Sequence, residues 1–204
     1  MAEAPEIPLE DATATVRALL EAAKASRNPA RNVALVRLMA DVGIRPAEAA
    51  NLSWGALLGP DGRLSGHCRW PAVKKGARRD VNLSPATLAA LSDLLAGTSP
   101  SPQDRVFVSE FKHNGRNGSF SAASMTGLLR DLGRAAGLRI SAYSLRHLAL
   151  ASEARAVIAA GGHGGDLLNF SGHKSLSSVQ AYLDACSKTR AACDDARAQR
   201  AATY

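Results

Sequence analysis

The chain has 204 residues, of which 46% are hydrophobic and 21% are charged. This length and composition are those of a folded globular protein, and they exclude a disordered chain and a miniature scaffold held together by disulfides or metal ions. The formal charge of +7 at pH 7 favours a polyanionic partner, with nucleic acid as the first candidate.

The N-terminal part of the chain is predicted to be helical. Residues 1–10 carry prolines among acidic residues and are expected to be a flexible lead-in. Apolar residues at helical spacing predict one helix over Thr13–Ala25 and a second over Val33–Val42. Proline is favoured in the first turn of a helix, so a third, short helix is expected to begin near Pro46.

A two-stranded hairpin is predicted next. Residues 64–73 and 79–83 have the pattern of short strands, with residues 75–78 at the tip between them. After the hairpin, Ser84 and Pro85 are a typical N-cap and first-turn proline, and they predict the start of another helix.

The C-terminal part is predicted to be helical apart from one short strand. A strand is expected over Arg105–Ser109, followed by a polar loop from Lys112 to Ser119. The apolar spacing then predicts four helices, with a glycine-rich joint before the third, over Met125–Ala136, Ser144–Ala160, Asp166–Phe170 and Ser177–Asp184. The chain is therefore predicted to be mainly α with a small antiparallel β-sheet, an α+β fold.

Cysteine usage and apolar runs bear on the compartment of the protein. Cys68, Cys186 and Cys193 form no CxxC pair and no zinc-ligand spacing, so reduced thiols and no metal site are expected. The N-terminus lacks the pattern of a secretory signal, and no run of apolar residues is long enough to span a bilayer. These features predict a cytoplasmic protein with no membrane partner.

Four separated fragments carry residue types suited to phosphate chemistry. They are GIRPAE at 43–48, VKKGARRDVNL at 73–83, YSLRH at 143–147 and SGHKSLSSVQAY at 171–182. In this order they resemble the tyrosine recombinase or phage integrase family, whose pattern has an Arg in a GLRxxE turn, a Lys in a TKTGKxRxVPL hairpin, HxxRH and GHxxxxxTxxxY. The interval from His173 to Tyr182 also matches. The resemblance implies the family's catalytic-domain fold, expected here over residues 11–186.

The resemblance implies a site-specific recombinase that cleaves and rejoins DNA without a metal ion, ATP or another cofactor. Tyr182 is expected to attack the scissile phosphate and form a covalent 3′-phosphotyrosine. Arg45 and Arg146 are expected to hold the non-bridging oxygens, and His173 to donate a further hydrogen bond. Glu48 is expected to orient Arg45 without touching DNA.

The hairpin lysine of the family pattern is expected to protonate the leaving 5′ oxygen. Lys74 matches the family position, and strand alternation turns Lys75 to the opposite face, but both remain candidates for the acid. Further DNA contacts are expected from basic residues around the site, namely Lys75, Arg78, Arg79, His147 and Lys174.

The sequence departs from the family pattern in three places. Tyr143 stands where most relatives have a histidine. A phenol still donates a hydrogen bond to phosphate, so Tyr143 is counted among the catalytic residues. Phenols are, however, poor proton carriers at neutral pH. The interval from Arg146 to His173 is longer than in the family, and its glycine-rich insertion is expected to gate His173. The segment before Arg45 is too short for the family's separate core-binding domain.

Double-stranded DNA is the expected partner. The resemblance implies a tetrameric synapse on DNA, a monomer off DNA and accessory DNA-binding proteins, with residues 187–204 forming a helical tail that packs on a neighbouring subunit. Two alternative functions stay open. One is a DNA-binding regulator or accessory factor that keeps the fold but has lost efficient cleavage, and the other, more remote, is topoisomerase-like relaxation of supercoils.

Overall fold

The computed structural model describes residues 11–70, 79–113 and 116–184. The described part is mostly helical and contains two antiparallel hairpins. Its elements in chain order are α1 (Ala12–Lys24), α2 (Pro29–Val42), α3 (Pro46–Asn51), β1 (His67–Trp70), β2 (Arg79–Asn82), α4 (Pro85–Leu95), β3 (Val108–His113), β4 (Arg116–Ser119), α5 (Ala122–Ala135), α6 (Ala142–Ala159), α7 (Gly164–Ser171) and α8 (177–184). The predicted fold class, mainly α with a small antiparallel sheet, is confirmed.

Helix ends follow the capping signals of the sequence. The Ser84 hydroxyl accepts a hydrogen bond from the Thr87 backbone N–H at 3.2 Å and begins α4 as predicted. Pro29 occupies the first position of α2, so this helix begins before the predicted Val33. Gly43 ends α2 in the left-handed conformation, with φ of 64°, and turns the chain toward α3.

The predicted polar loop from Lys112 to Ser119 is wrong. Residues 112–113 and 116–119 belong to the strands of the β3–β4 hairpin, in which Val108 pairs with Ser119 and His113 pairs with Arg116. A hairpin is held by hydrogen bonds between the main chains of its two strands, which form whether the side chains are polar or apolar. Such strands can therefore lack the hydrophobic alternation by which a strand is recognised in a sequence.

The glycine-rich joint is shorter than the sequence predicts. Helix α7 begins at Gly164, with His163 as its N-cap residue. The His163 backbone N–H donates to Asp166 Oδ2 at 2.8 Å, and this contact stabilises the start of the helix. The helix therefore absorbs part of the predicted joint, and Gly161 and Gly162 remain between α6 and α7.

Helix α2 lies at the centre of the core. Its fully buried side chains pack against α1, α4 and α6, and they include Leu35, Val36, Leu38 and Met39. A smaller apolar cluster, formed by Leu150, Ala154, Leu167 and Val179, joins α6, α7 and α8. The main core therefore places α2 beside α6. The smaller cluster packs α8 against α6 and α7. No helix in the described ranges is long and apolar enough to cross a membrane.

A partly buried carboxylate ties α2 to α4. Asp41 Oδ2 accepts hydrogen bonds from the hydroxyls of Ser84 and Thr87, which form the N-terminal cap of α4. The cap of α4 thus also fixes the orientation of the two helices, and hydrogen bonds to a carboxylate are stronger than those between neutral groups.

Two N-cap serines allow this link to be measured. Ser121 caps α5 by accepting from the Ser124 N–H at 3.1 Å, but it has no carboxylate partner among the described contacts. Ser121→Ala should lower the free energy of unfolding by about 1 kcal/mol, and Ser84→Ala by about 2 kcal/mol because the bond to Asp41 is also lost. Urea unfolding of both variants checks this, and equal losses would contradict the proposed role of Asp41.

Candidate active site

The first arginine of the site is held at the turn between α2 and α3. Arg45 is the N-cap residue of α3, and its backbone N–H donates to Glu48 Oε2 at 2.9 Å. Its Nη1 donates to Glu48 Oε1 at 2.8 Å, and 34% of its side chain stays exposed. Glu48 therefore fixes both the start of the helix and the direction of the guanidinium, which keeps a face open to solvent.

Arg79, which the sequence analysis expects to contact DNA, lies in the interior. Its side chain is 4% exposed; Nη1 forms an ion pair with Glu48 Oε2 at 3.2 Å, and Nη2 donates to the Val42 carbonyl at 3.1 Å. The guanidinium also lies 4.8 Å from the ring centre of Trp70. Burial alternates along β2, with Arg79 inward and Asp80 outward, and this register was the signal available in the sequence.

Arg146 projects from α6 into the same buried region. Its Nη1 donates to the Gly43 carbonyl, and its Nη2 donates to the Ser171 carbonyl at 2.8 Å. Burial, together with the charges of Arg45 and Arg79, lowers the pKa of Arg146 to about 10. The guanidinium thus remains a cation at neutral pH, in an orientation fixed by two carbonyls from different parts of the fold.

His173 follows α7 and lies against the arginines. Its backbone N–H donates to the Ser171 hydroxyl at 3.3 Å, and its Nδ1 is buried with no hydrogen-bond partner in the described part of the chain. Burial and the positive charges of Arg146, Arg45 and Arg79 lower the pKa of His173 to about 4. The imidazole is therefore neutral at pH 7 and keeps one N–H for donation.

Gly172 allows the arginine cluster and His173 to meet. It has a φ of 65°, and a Cβ at this position would lie 2.4 Å from Arg79 Cδ. The Arg79 side chain thus passes directly beneath the α7 terminus, which only glycine allows at this distance.

Tyr182 and His147 meet at the junction of α6 and α8. Tyr182 is half-buried and packs against the apolar cluster formed by Leu150, Ala154, Leu167 and Val179. Its hydroxyl shares a hydrogen bond with His147 Nδ1, and the two ring centres are 5.8 Å apart. The hydroxyl is also close enough to Arg146 that the ionised form of Tyr182 raises the pKa of that arginine. This contact of His147 with a side chain was not anticipated from the sequence.

The remaining sequence-predicted residues divide into two groups. Tyr143 is in the first turn of α6 with 63% of its surface exposed, and Lys174 is exposed next to His173. Lys74, Lys75 and Arg78 lie outside the described residues. The structure therefore brings together Arg45, Glu48, Arg146 and His173 around the buried Arg79, with Tyr182 and His147 beside them.

Among the described residues, no group of three or more His, Cys, Asp or Glu side chains is arranged to hold a metal ion.

Comparisons with known proteins agree on one family. The sequence matches the phage integrase family over residues 12–188. The XerA recombinase has a TM-score of 0.68 at 25% identity, over 90% of this chain and 60% of XerA. The XerH recombinase in its post-cleavage complex with a palindromic difH substrate has a TM-score of 0.69 at 18% identity, over 94% of this chain and 52% of XerH.

A third solved structure is similar over nearly its whole length. The catalytic domain of bacteriophage HP1 integrase has a TM-score of 0.57 at 18% identity, over 88% of this chain and 87% of that domain. The chain thus spans 60% of XerA and 52% of XerH but most of an isolated catalytic domain. No curated protein matches the chain in sequence.

The Gly172–Arg79 contact can be tested against a matched glycine. Gly137 has a φ of 70°, and a Cβ there would meet nothing within 4 Å. Gly137→Ala should cost about 1 kcal/mol of unfolding free energy for the backbone alone, whereas Gly172→Ala should cost about 2 to 4 kcal/mol because it also displaces Arg79. Thermal and urea unfolding measure both costs. A loss at Gly172 no larger than the loss at Gly137 would show that Arg79 has room to move.

The lowered pKa of His173 predicts a pH dependence of stability. The unfolded chain takes up a proton at this residue near pH 6.5, but the folded chain does so only near pH 4. Unfolding free energy should therefore fall as the pH drops from 6.5 toward 4. Between pH 7 and pH 5 the loss should be larger for the natural chain than for His173→Gln, in which all other groups titrate unchanged. Urea unfolding measures both losses. If the natural chain and His173→Gln lose the same unfolding free energy between pH 7 and pH 5, a neutral, partly buried imidazole is contradicted.

Proposed function

Because the chain belongs to the phage integrase family and has the fold of the tyrosine recombinase catalytic domain, we propose that it is a site-specific DNA recombinase. It cleaves and rejoins DNA strands through a 3′-phosphotyrosine. The observation that carries this proposal is the convergence of Arg45, Arg146 and His173 at one place, where the charge of Arg45 lowers the pKa of Arg146 and the charges of both arginines lower the pKa of His173. Such a cluster of donors suits one phosphate group in the transition state.

The reaction uses the groups of the cluster in distinct roles. The Tyr182 oxygen attacks the scissile phosphorus, a P–O bond forms to the tyrosine, and the bond to the 5′ oxygen breaks. Arg45 and Arg146 bind the non-bridging oxygens, and the neutral His173 donates its N–H to one of them. Removing either guanidinium should raise the barrier on the order of 3 kcal/mol, as for other preorganised donors. Glu48 and Arg79 position Arg45 and do not touch DNA.

The leaving 5′ oxygen needs a proton. We assign its delivery to Lys74, with Lys75 as the alternative, because the β2 strand that follows this segment is anchored beside Glu48 through Arg79. A lysine among cations has a lowered pKa, which suits an acid that works near neutral pH. Attack by a 5′-hydroxyl of another strand on the phosphotyrosine reverses these steps and completes the exchange.

Duplex DNA is the proposed partner. The XerH structure contains its difH substrate, and a lambda integrase dimer is bound to a COC′ core site. The charge of +7 on this chain supports the same kind of ligand. Lys174 is exposed next to the site and is proposed to contact the DNA backbone. We further propose a catalytic domain over residues 11–186, a tetramer on DNA with a monomer off DNA, and a tail over 187–204 that joins subunits.

A covalent adduct on nicked DNA tests the proposal. Duplexes are selected from a random library by binding to the chain and are then nicked at successive positions, so that the short released fragment, which carries the 5′-hydroxyl, diffuses away and cannot religate. The natural chain should form an adduct on a denaturing gel, and Tyr182→Phe should form none because it lacks the nucleophile. Arg146→Lys should slow adduct formation on the order of 100-fold, since an ammonium does not reproduce the fork of donors.

The controls separate enzyme from binding protein. Arg134→Ala, at an arginine on α5 whose side chain is 74% exposed, should form the adduct at the natural rate. Salt-sensitive DNA binding with no adduct at any nick position would contradict the recombinase and support the accessory DNA-binding factor.

A further inference from the structure

The contact between Tyr182 and His147 addresses a step that the proposed function leaves open, namely which group takes the phenolic proton when Tyr182 attacks. The proton must leave the hydroxyl as the oxygen bonds to phosphorus, because a neutral phenol is a weak nucleophile at neutral pH. A general base has to lie within hydrogen-bond distance of that hydroxyl. His147 Nδ1 meets this requirement in the structure.

Other titratable groups near the site are poorly suited to this role. Burial and three arginines lower the pKa of His173 to about 4, which makes it a weak base. Glu48 has both carboxylate oxygens engaged by Arg45 and Arg79. Tyr143, at the position of the family histidine, is a phenol, and its side chain is exposed to solvent.

On the basis of the proposed function, we infer that His147 is the general base for Tyr182. In the tautomer that carries its proton on Nε2, the imidazole accepts the tyrosine hydroxyl at Nδ1. As the phenolic oxygen bonds to phosphorus, its proton passes to Nδ1, and the electron pair of the broken P–O bond goes to the 5′ oxygen, which takes its proton from the hairpin lysine. In the rejoining step the imidazolium returns its proton to the tyrosine.

The fold explains why this pair is well placed. His147 directly follows Arg146, whose guanidinium is fixed by the carbonyls of Gly43 and Ser171, so the position of His147 on α6 is set by the arginine that binds the phosphate. Tyr182 is held by packing of α8 against the apolar cluster. The base and the phosphate clamp therefore sit on consecutive residues of one helix, and the nucleophile lies across from them.

Rates of adduct formation at saturating nicked DNA, in a single turnover, test this assignment. His147→Ala should slow the step on the order of 100-fold or more, the usual contribution of a general base. His147→Asn should be slow as well, since an amide offers a hydrogen bond but takes no proton. His67→Ala, at a partly exposed histidine on β1, is the matched control and should react at the natural rate. Thermal unfolding of each variant checks that the fold is retained.

Two chemical changes identify the proton involved. Replacing the tyrosine at position 182 by 3,5-difluorotyrosine makes the phenol more acidic and lessens its need for a base. In the His147→Ala background this replacement should therefore raise the rate of adduct formation at least tenfold. A 5′-bridging sulfur in the DNA makes a leaving group that needs no acid; it should rescue Lys74→Ala but not His147→Ala.

The possible outcomes are distinct. If His147→Ala reacts as fast as the natural chain, the assignment is overturned. A faster reaction would also overturn it, because the contact would then restrain the nucleophile. Rescue of His147→Ala by the bridging sulfur would overturn it by placing His147 at the leaving group. A loss seen only as weaker DNA binding would make His147 the DNA contact that the sequence predicts. Absence of any adduct with the natural chain would instead refute the proposed recombinase itself.

Discussion

The site depends on one carboxylate, that of Glu48, which lies between two guanidinium groups. Arg45 and Arg79 both pair with it, and Arg146 lies close enough for its pKa to be lowered by both of these arginines. Gathering three cations where water is largely excluded is unfavourable unless acceptors surround them. Glu48 supplies one full negative charge, and the carbonyls of Val42 and Gly43 at the negative end of α2 supply partial charges.

This arrangement has a consequence for catalysis. Because the guanidinium groups are already paired and oriented, binding a phosphate does not require them to be collected from solvent, and a preset cluster stabilises the transition state more than a mobile one. The partly exposed face of Arg45 remains directed outward, whereas Arg79 is enclosed and links strand β2 to the terminus of α7 through Gly172. The residues that are proposed to hold phosphate are thus positioned by Glu48 and Arg79, which are proposed not to contact it.

The sequence predicted much of this fold because many of its helices have apolar residues at helical spacing and clear start signals, as at Ser84 and Pro46. It did not predict the β3–β4 hairpin, whose polar strands carry no alternation. In the site, the motif order singled out Arg45, Arg146, His173 and Tyr182, but it did not show that Arg79 is buried, because burial depends on which face of β2 the residue occupies. The pairing of His147 with Tyr182 joins residues 35 positions apart and results from the packing of α8 on α6.

A crystal structure of the Tyr182→Phe variant bound to an uncleaved duplex site tests the central claim most directly. The preset cluster predicts that Arg45 and Arg146 both lie within hydrogen-bond distance of the same phosphate, while Glu48 still bridges Arg45 and Arg79 and Arg146 still donates to the carbonyls of Gly43 and Ser171. Arginines that contact different phosphates, or an Arg146 that has to leave both carbonyls to reach the DNA, would contradict it.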